Sequence, residues 1–198
     1  LSYGAVRTPT AQWTATAAGC CLLQPEGRGV GIAAATFGRV QDYAVHDINN
    51  MGAAMMPAAA STLLRYFAAT GACPQDFDAI FTGDLGEIGS ALLREQMARE
   101  GLPLDNHRDC GCLLYDTQGQ DVQAGGSGAG CSAAVLCCKI LPMLAAGQLR
   151  RVLPGEDIVY FGDTGRVPYG SRGQDIIVQY ARQDIRFLLS RDVKFIIA

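Results

Sequence analysis

A chain of 198 residues with 49% hydrophobic and 18% charged side chains can bury a core, is not a disordered tail, and has room for one or two domains. Its net charge of −3 and pI near 5.3, with no basic stripe, exclude the even positive field that holds a nucleic-acid backbone. No apolar run reaches the roughly 18 to 20 residues that span a bilayer, and Leu1-Ser2-Tyr3 leads no charged region into an apolar one, so a cytoplasmic protein, or one peripheral to a membrane, is expected.

Along the chain, short apolar or β-branched runs alternate with helical stretches. Strands are expected over residues 18–23, 31–37, 79–82, 112–115 and 149–153, each bounded by Gly, Pro, Asp or Gln. A first helix over 55–69 is rich in Ala, carries Leu63, Leu64 and Phe67 on one side, and stops at Gly71. Ile88, Leu92, Leu93 and Met97 recur at helical spacing until Gly101-Leu102-Pro103 ends that segment. Residues 128–147 bring Ala133, Val135, Leu136, Ile140, Leu141 and Leu144 together with little charge, the pattern of a buried helix. Beyond Leu153-Pro154 the pattern restarts. A strand over 158–161 ends in Gly162-Asp163, and after a long loop Ile176, Ile177, Tyr180, Ile185, Leu188 and Leu189 form the stripe of an amphipathic helix over 175–190. Residues 193–198 then read as a buried parallel strand. The whole is an α/β pattern.

All eight cysteines precede Leu153, which sets the two parts apart in composition. Their spacings, with adjacent pairs at Cys20-Cys21 and Cys137-Cys138 and one residue between Cys110 and Cys112, are not those of a zinc ribbon, and no metal or cofactor is expected. Cys20, Cys21, Cys131, Cys137 and Cys138 lie in small, apolar surroundings and read as buried, reduced cysteines.

In residues 1–153 five ordered motifs carry a resemblance. They are Thr8-Pro9-Thr10-Ala11-Gln12-Trp13-Thr14, Asp47 with residues 51–60, Thr82-Gly83-Asp84-Leu85, His107-Arg108-Asp109-Cys110-Gly111, and residues 125–133. Together they resemble the stage V sporulation protein AD family. The resemblance implies a thiolase-like fold of which this segment represents the second pseudo-repeat, and binding of dipicolinic acid in the uptake of calcium dipicolinate into the forespore, with membrane-protein partners of the sporulation apparatus. It also implies a site built between two repeats, of which the segment supplies one side, and a peripheral place at the forespore inner membrane.

Within that segment, His107 stands beside Asp109 in what reads as a polar loop, where an imidazole donates to a carboxylate or pyridine ring or is simply solvated. His46 reads as a capping or solvated residue. The Gly125–Ser132 run, with Gly126 and Ser127 at its start, offers backbone N–H groups to a carboxylate or lets helix and strand pack closely. Asp84 follows a strand, where an aspartate serves a ligand or a turn equally well.

In residues 155–198 the string from Ile158 through Gly162-Asp163-Thr164-Gly165 to Pro168-Tyr169-Gly170-Ser171 is similar to the glutamate racemase family, and the likeness continues through residues 180–183 and 193–198. It implies that Tyr169 and Gly170, with Ser171 beside them, contact a carboxylate substrate such as glutamate; the bland alternative is a Pro-Tyr-Gly turn. That family racemises glutamate, for peptidoglycan synthesis, with a pair of cysteine thiolates on opposite faces of the α-carbon. No cysteine follows Cys138, so no catalytic residue is assigned. The expectation is a composite: a partial thiolase-like segment over 1–153 joined to a strand-helix-strand fragment of an aspartate/glutamate racemase-like fold over 154–198, exposing apolar surface and self-associating.

Overall fold

The computed structural model describes residues 7–23, 29–39, 41, 43–47, 49–160 and 172–182. In chain order these form β1 (Trp13–Thr14), β2 (Val30–Phe37), α1 (Met51–Thr70), β3 (Ala79–Thr82), α2 (Gly86–Arg99), β4 (His107–Asp109), α3 (Cys110–Leu114), β5 (Gly126–Ser127), α4 (Ala129–Val135), a π-helical turn (Leu136–Ile140), α5 (Leu141–Ala145), β6 (Arg151–Tyr160) and β7 (Arg172–Arg182). The α/β class read from the sequence is the class observed. A five-stranded mixed sheet runs in the order β2-β7-β6-β3-β4, and β1 pairs with β5 in a separate two-stranded ribbon. Strands β4, β3 and β6 are mutually parallel, whereas β7 is antiparallel to both of its neighbours.

Successive residues of β3 and β6 point to opposite sides of the sheet and fill two cores. Ile80 and Leu153 face α1 and α2, packing with Met55, Leu63, Tyr66, Phe67, Leu93 and Met97. Ala79, Phe81 and Val152 face the helical run after Gly128, packing with Cys131, Val135, Leu136, Ile140 and Leu144. Tyr66, Phe67 and Phe77 meet at centroid separations of 5.7–6.3 Å in tilted and edge-on geometry. Arg151 lies over the Phe77 ring. The first helix is longer than its apolar run suggests, because Asn50 caps it by accepting from Ala53 N–H, and it ends as expected at Gly71 with φ 68°.

Four expected elements differ. Residues 15–23 form no strand; they run along the helix that begins at Ala129. Residues 112–115, expected as a strand, sit in and just after α3, because Asp109 accepts from Cys112 N–H and starts a helical turn where apolar residues alone suggest β. The expected strand 149–153 is observed as β6, which runs on through Leu153-Pro154; Pro154 has no N–H, and the pairing of β6 with β7 skips Leu153 and Pro154. The helix expected over 175–190 is, over Arg172–Arg182, the strand β7. Ile176, Ile177 and Val178 are consecutive β-branched residues that favour extended backbone, and β2 and β6 each offer an edge to pair with. Residues 183–198, including the expected strand 193–198, lie outside the described residues.

The helix expected over 128–147 is present as α4, the π turn and α5. Leu141 N–H donates to Leu136 O, five residues back, immediately before Pro142, whose missing donor and bulky ring favour a widened turn there. That shift in helical phase separates the cysteines. Cys131 is buried, but Cys137 is half-buried and Cys138 is exposed, as is Cys20, which corrects the reading of all of them as core residues. Among the described residues, no helix is long and apolar enough to cross a membrane.

Candidate functional site

The polar residues around the carboxyl end of β3 and the short strand β4 divide into a buried knot and a half-buried rim. The knot follows from strand register. Parallel pairing sets Ile80 opposite His107 and Thr82 opposite Asp109, so Thr82, His107 and Asp109 share one face. His107 therefore lies within a strand and is only 7% exposed, not in the solvated loop that its neighbours suggest. Thr82 Oγ1 donates to Asp109 Oδ2 at 2.6 Å and lies 2.9 Å from His107 Nε2. Its single proton being committed to Asp109, the hydroxyl accepts from Nε2–H, which assigns the neutral tautomer with Nδ1 bare. Nδ1 is buried and has no hydrogen-bond partner among the described residues. Burial first, and the nearby Arg94 charge second, lower the His107 pKa to about 4, so the ring stays neutral.

Asp109 locks three elements. Besides Thr82, its carboxylate accepts from Leu85 N–H and Gly86 N–H at 2.9 Å each, and from Cys112 N–H at 3.3 Å. Leu85 stands at the N-cap position of α2 with no side-chain oxygen of its own, and Asp109 supplies one from the neighbouring strand while also capping α3. Burial raises its pKa, opposed by these hydrogen bonds. Cys112 beside it is pushed up to about 12, by burial first and then by the Asp109 and Glu87 charges, which leaves a protonated thiol unsuited to nucleophilic attack or metal binding.

The rim joins Asp84 to the glycine loop. Gly128 N–H donates to Asp84 Oδ2 at 2.8 Å, so the backbone amide expected to greet a ligand carboxylate already holds the chain's own. Gln12 Nε2 bridges Asp84 O at 2.6 Å and Gly126 O at 3.1 Å, tying the loop after β3 to β5. Trp13 and Thr14 pair with Gly126 and Ser127, and Ala15 N–H donates to Ser127 O. Ser127 is half-buried, and among the described residues its hydroxyl has no hydrogen-bond partner. The glycines act largely by allowing close approach: a Cβ on Gly130 would overlap Ala17 O, and one on Gly111 would overlap Gly126 O.

Of the expected site residues, the structure brings Asp84, Gly126 and Ser127 together, and places His107 in the knot, connected to the Asp84 loop through Thr82 and Asp109. Tyr169, Gly170 and Ser171 lie outside the described residues, and His46 is exposed. The sequence alone does not single out Gln12, Thr82 and Asp109 as site residues, although each lies inside one of the family motifs; an uncharged Gln and Thr beside apolar runs give no signal of their own. Among the described residues no group of His, Cys, Asp and Glu gathers as a metal site.

A mixed α/β sheet with polar residues at the carboxyl ends of its parallel strands defines the class, and the sequence comparisons define the family. Residues 1–156 match the family description "Stage V sporulation protein AD", and the chain belongs to that family. Stage V sporulation protein AD of Bacillus subtilis is 39% identical over 151 residues, which is 76% of this chain and 44% of that protein. Glutamate racemase of Lactococcus lactis subsp. lactis is 47% identical over 55 residues, 28% of this chain and 20% of that protein. Among solved structures, a tetronic acid condensing enzyme superposes with a TM-score of 0.45 at 15% identity, over 79% of this chain and 48% of that one. The chain thus spans less than half the length of the relatives it matches.

Proposed function

We propose that this chain acts in sporulation as a binding protein, contributing one side of a site for dipicolinic acid in the uptake of calcium dipicolinate into the forespore. The observation that carries the reading is the convergence of Asp84 with Gly126 and Ser127 at the carboxyl end of β3, on a chain of this family. In this reading the Ser127 hydroxyl donates to a ligand carboxylate, Gly126 lets the Tyr115 ring pack against the loop, and Asp84 holds the glycine loop in place. His107 positions Thr82 from within the knot and does not touch the ligand. Membrane-protein partners at the forespore inner membrane, and a change from one family segment to another near Leu153-Pro154 within one sheet, belong to the same proposal.

The 47% identity to a glutamate racemase over 55 residues favours a second reading, in which Tyr169, Gly170 and Ser171 contact glutamate. Racemisation asks for a pair of thiolates facing the α-carbon, which that segment does not carry. Equilibrium dialysis of the chain against dipicolinic acid, with glutamate in parallel, separates the two. Retention of dipicolinate alone is the expected result; retention of glutamate alone favours the racemase-type reading, and retention of neither overturns both.

A further inference from the structure

Away from the knot and the rim, Cys137 meets Cys20 and Cys21 where residues 15–23 cross the helical run after Gly128. The Sγ atoms of Cys21 and Cys137 lie 3.6 Å apart, and Cys137 Sγ also lies 3.7 Å from Cys20 O. With the Cys137 thiol donating to that carbonyl, its sulfur lone pairs are turned to Cys21. A disulfide needs an S–S distance of about 2.05 Å, so each sulfur has to move about 0.8 Å, within the reach of a χ1 adjustment. Both residues are half-buried, open enough for a small reagent, while Cys20 and Cys138 beside them are exposed. Cys137 lies in the π-helical turn, the segment that places it on the outer side, toward residues 15–23.

The geometry points to a reversible disulfide between Cys21 and Cys137, formed by exchange with a low-molecular-weight disulfide. One thiolate attacks the small disulfide, forming a mixed disulfide and expelling one small thiolate. The second protein thiolate then attacks the protein sulfur of that mixed disulfide, closing the Cys21–Cys137 bond and expelling the other small thiolate. Two protein thiols are oxidised, one small disulfide is reduced to two thiols, and the protons released by the protein thiols neutralise the leaving groups. The bond ties residues 15–23 to the helix that begins just after the Gly126–Gly128 loop, fastening the segment that already touches Ser127 through Ala15.

Incubation of the chain with glutathione disulfide, followed by alkylation and peptide mapping, tests this. The expected product is one intramolecular cross-link joining Cys21 to Cys137, reversed by dithiothreitol, with Cys110, Cys112 and Cys131 recovered as alkylated or protected thiols. The Cys20→Ser, Cys138→Ser double variant, altered only at exposed positions, should give the same cross-link in the same yield, and backbone amides of residues 16–23 should exchange more slowly in the oxidised form. Loss of the cross-link in that variant, or full alkylation of both Cys21 and Cys137 after exposure to the disulfide, overturns the proposal.

Discussion

Asp109 is the last residue of β4 and Asp84 stands two residues beyond the end of β3, yet the chain uses them differently. Asp109 is 4% exposed and spends both oxygens on Thr82 and the amides of Leu85, Gly86 and Cys112. Asp84 is half-buried and holds Gly128 N–H at the edge of a loop whose Ser127 hydroxyl is uncommitted among the described residues. The difference separates scaffold from site. A buried carboxylate with every oxygen occupied cannot turn to a ligand without losing the caps of two helices, whereas a half-buried rim can exchange water for a ligand at little structural cost.

The comparison is broken most severely by Asp109→Ala, which leaves the Thr82 hydroxyl and three amides buried without their acceptor. Thermal or urea unfolding should show a loss on the order of 4 kcal/mol. Protonation of His107 is the next largest effect. Its folded pKa of about 4 lies below the unfolded value of 6.5, so the unfolded chain binds the proton first; the stability this ring contributes is whole above about pH 6.5 and is lost as pH falls toward 4, a change of about 3 kcal/mol at most. Asp109 works in the opposite sense: its raised pKa favours the folded state at low pH, an advantage lost as pH rises through the folded value. The difference between wild type and His107→Gln across that window isolates the imidazole, and a flat difference contradicts the buried, neutral ring.

Thr82→Val, which keeps the shape and removes the hydroxyl, should cost about 2 kcal/mol, because Nε2–H of His107 loses its acceptor and Asp109 a donor. On the rim side, Gly130→Ala forces its Cβ into Ala17 O and should cost about 1 to 3 kcal/mol as residues 15–19 shift. Asp84→Asn should be the mildest, near 1 kcal/mol or less, since a half-buried amide oxygen still accepts from Gly128 N–H. If Asp84→Asn unfolds the chain as Asp109→Ala does, the division into knot and rim is wrong.

Much of the scaffold was legible in residue pattern, for physical reasons that can be named. The strand 79–82 coincides with β3 because a short apolar run ends at Gly83, and Gly71 stops α1 because its left-handed φ suits glycine. The family resemblance over 1–153 agrees with the match over 1–156. Patterns of a few apolar residues failed where a side chain from elsewhere intervenes: Asp109 makes a helix of residues 110–114, and three consecutive β-branched residues between two available edges make a strand of residues 172–182. His107 read as solvated because Asn106, Arg108 and Asp109 surround it in sequence; strand alternation turns Arg108 outward and buries its neighbours, which composition alone does not reveal.

The central claim is that the rim, not the knot, receives the ligand. Isothermal titration with dipicolinic acid, run in parallel on the wild-type chain, Ser127→Ala and His107→Gln at a temperature where all three are folded, tests it directly. The account predicts binding to the wild type, weakening of about tenfold in Ser127→Ala for the loss of one hydrogen bond to a charged group, and a change of less than about threefold in His107→Gln. No heat with the wild type, or a greater loss in His107→Gln than in Ser127→Ala, would contradict it.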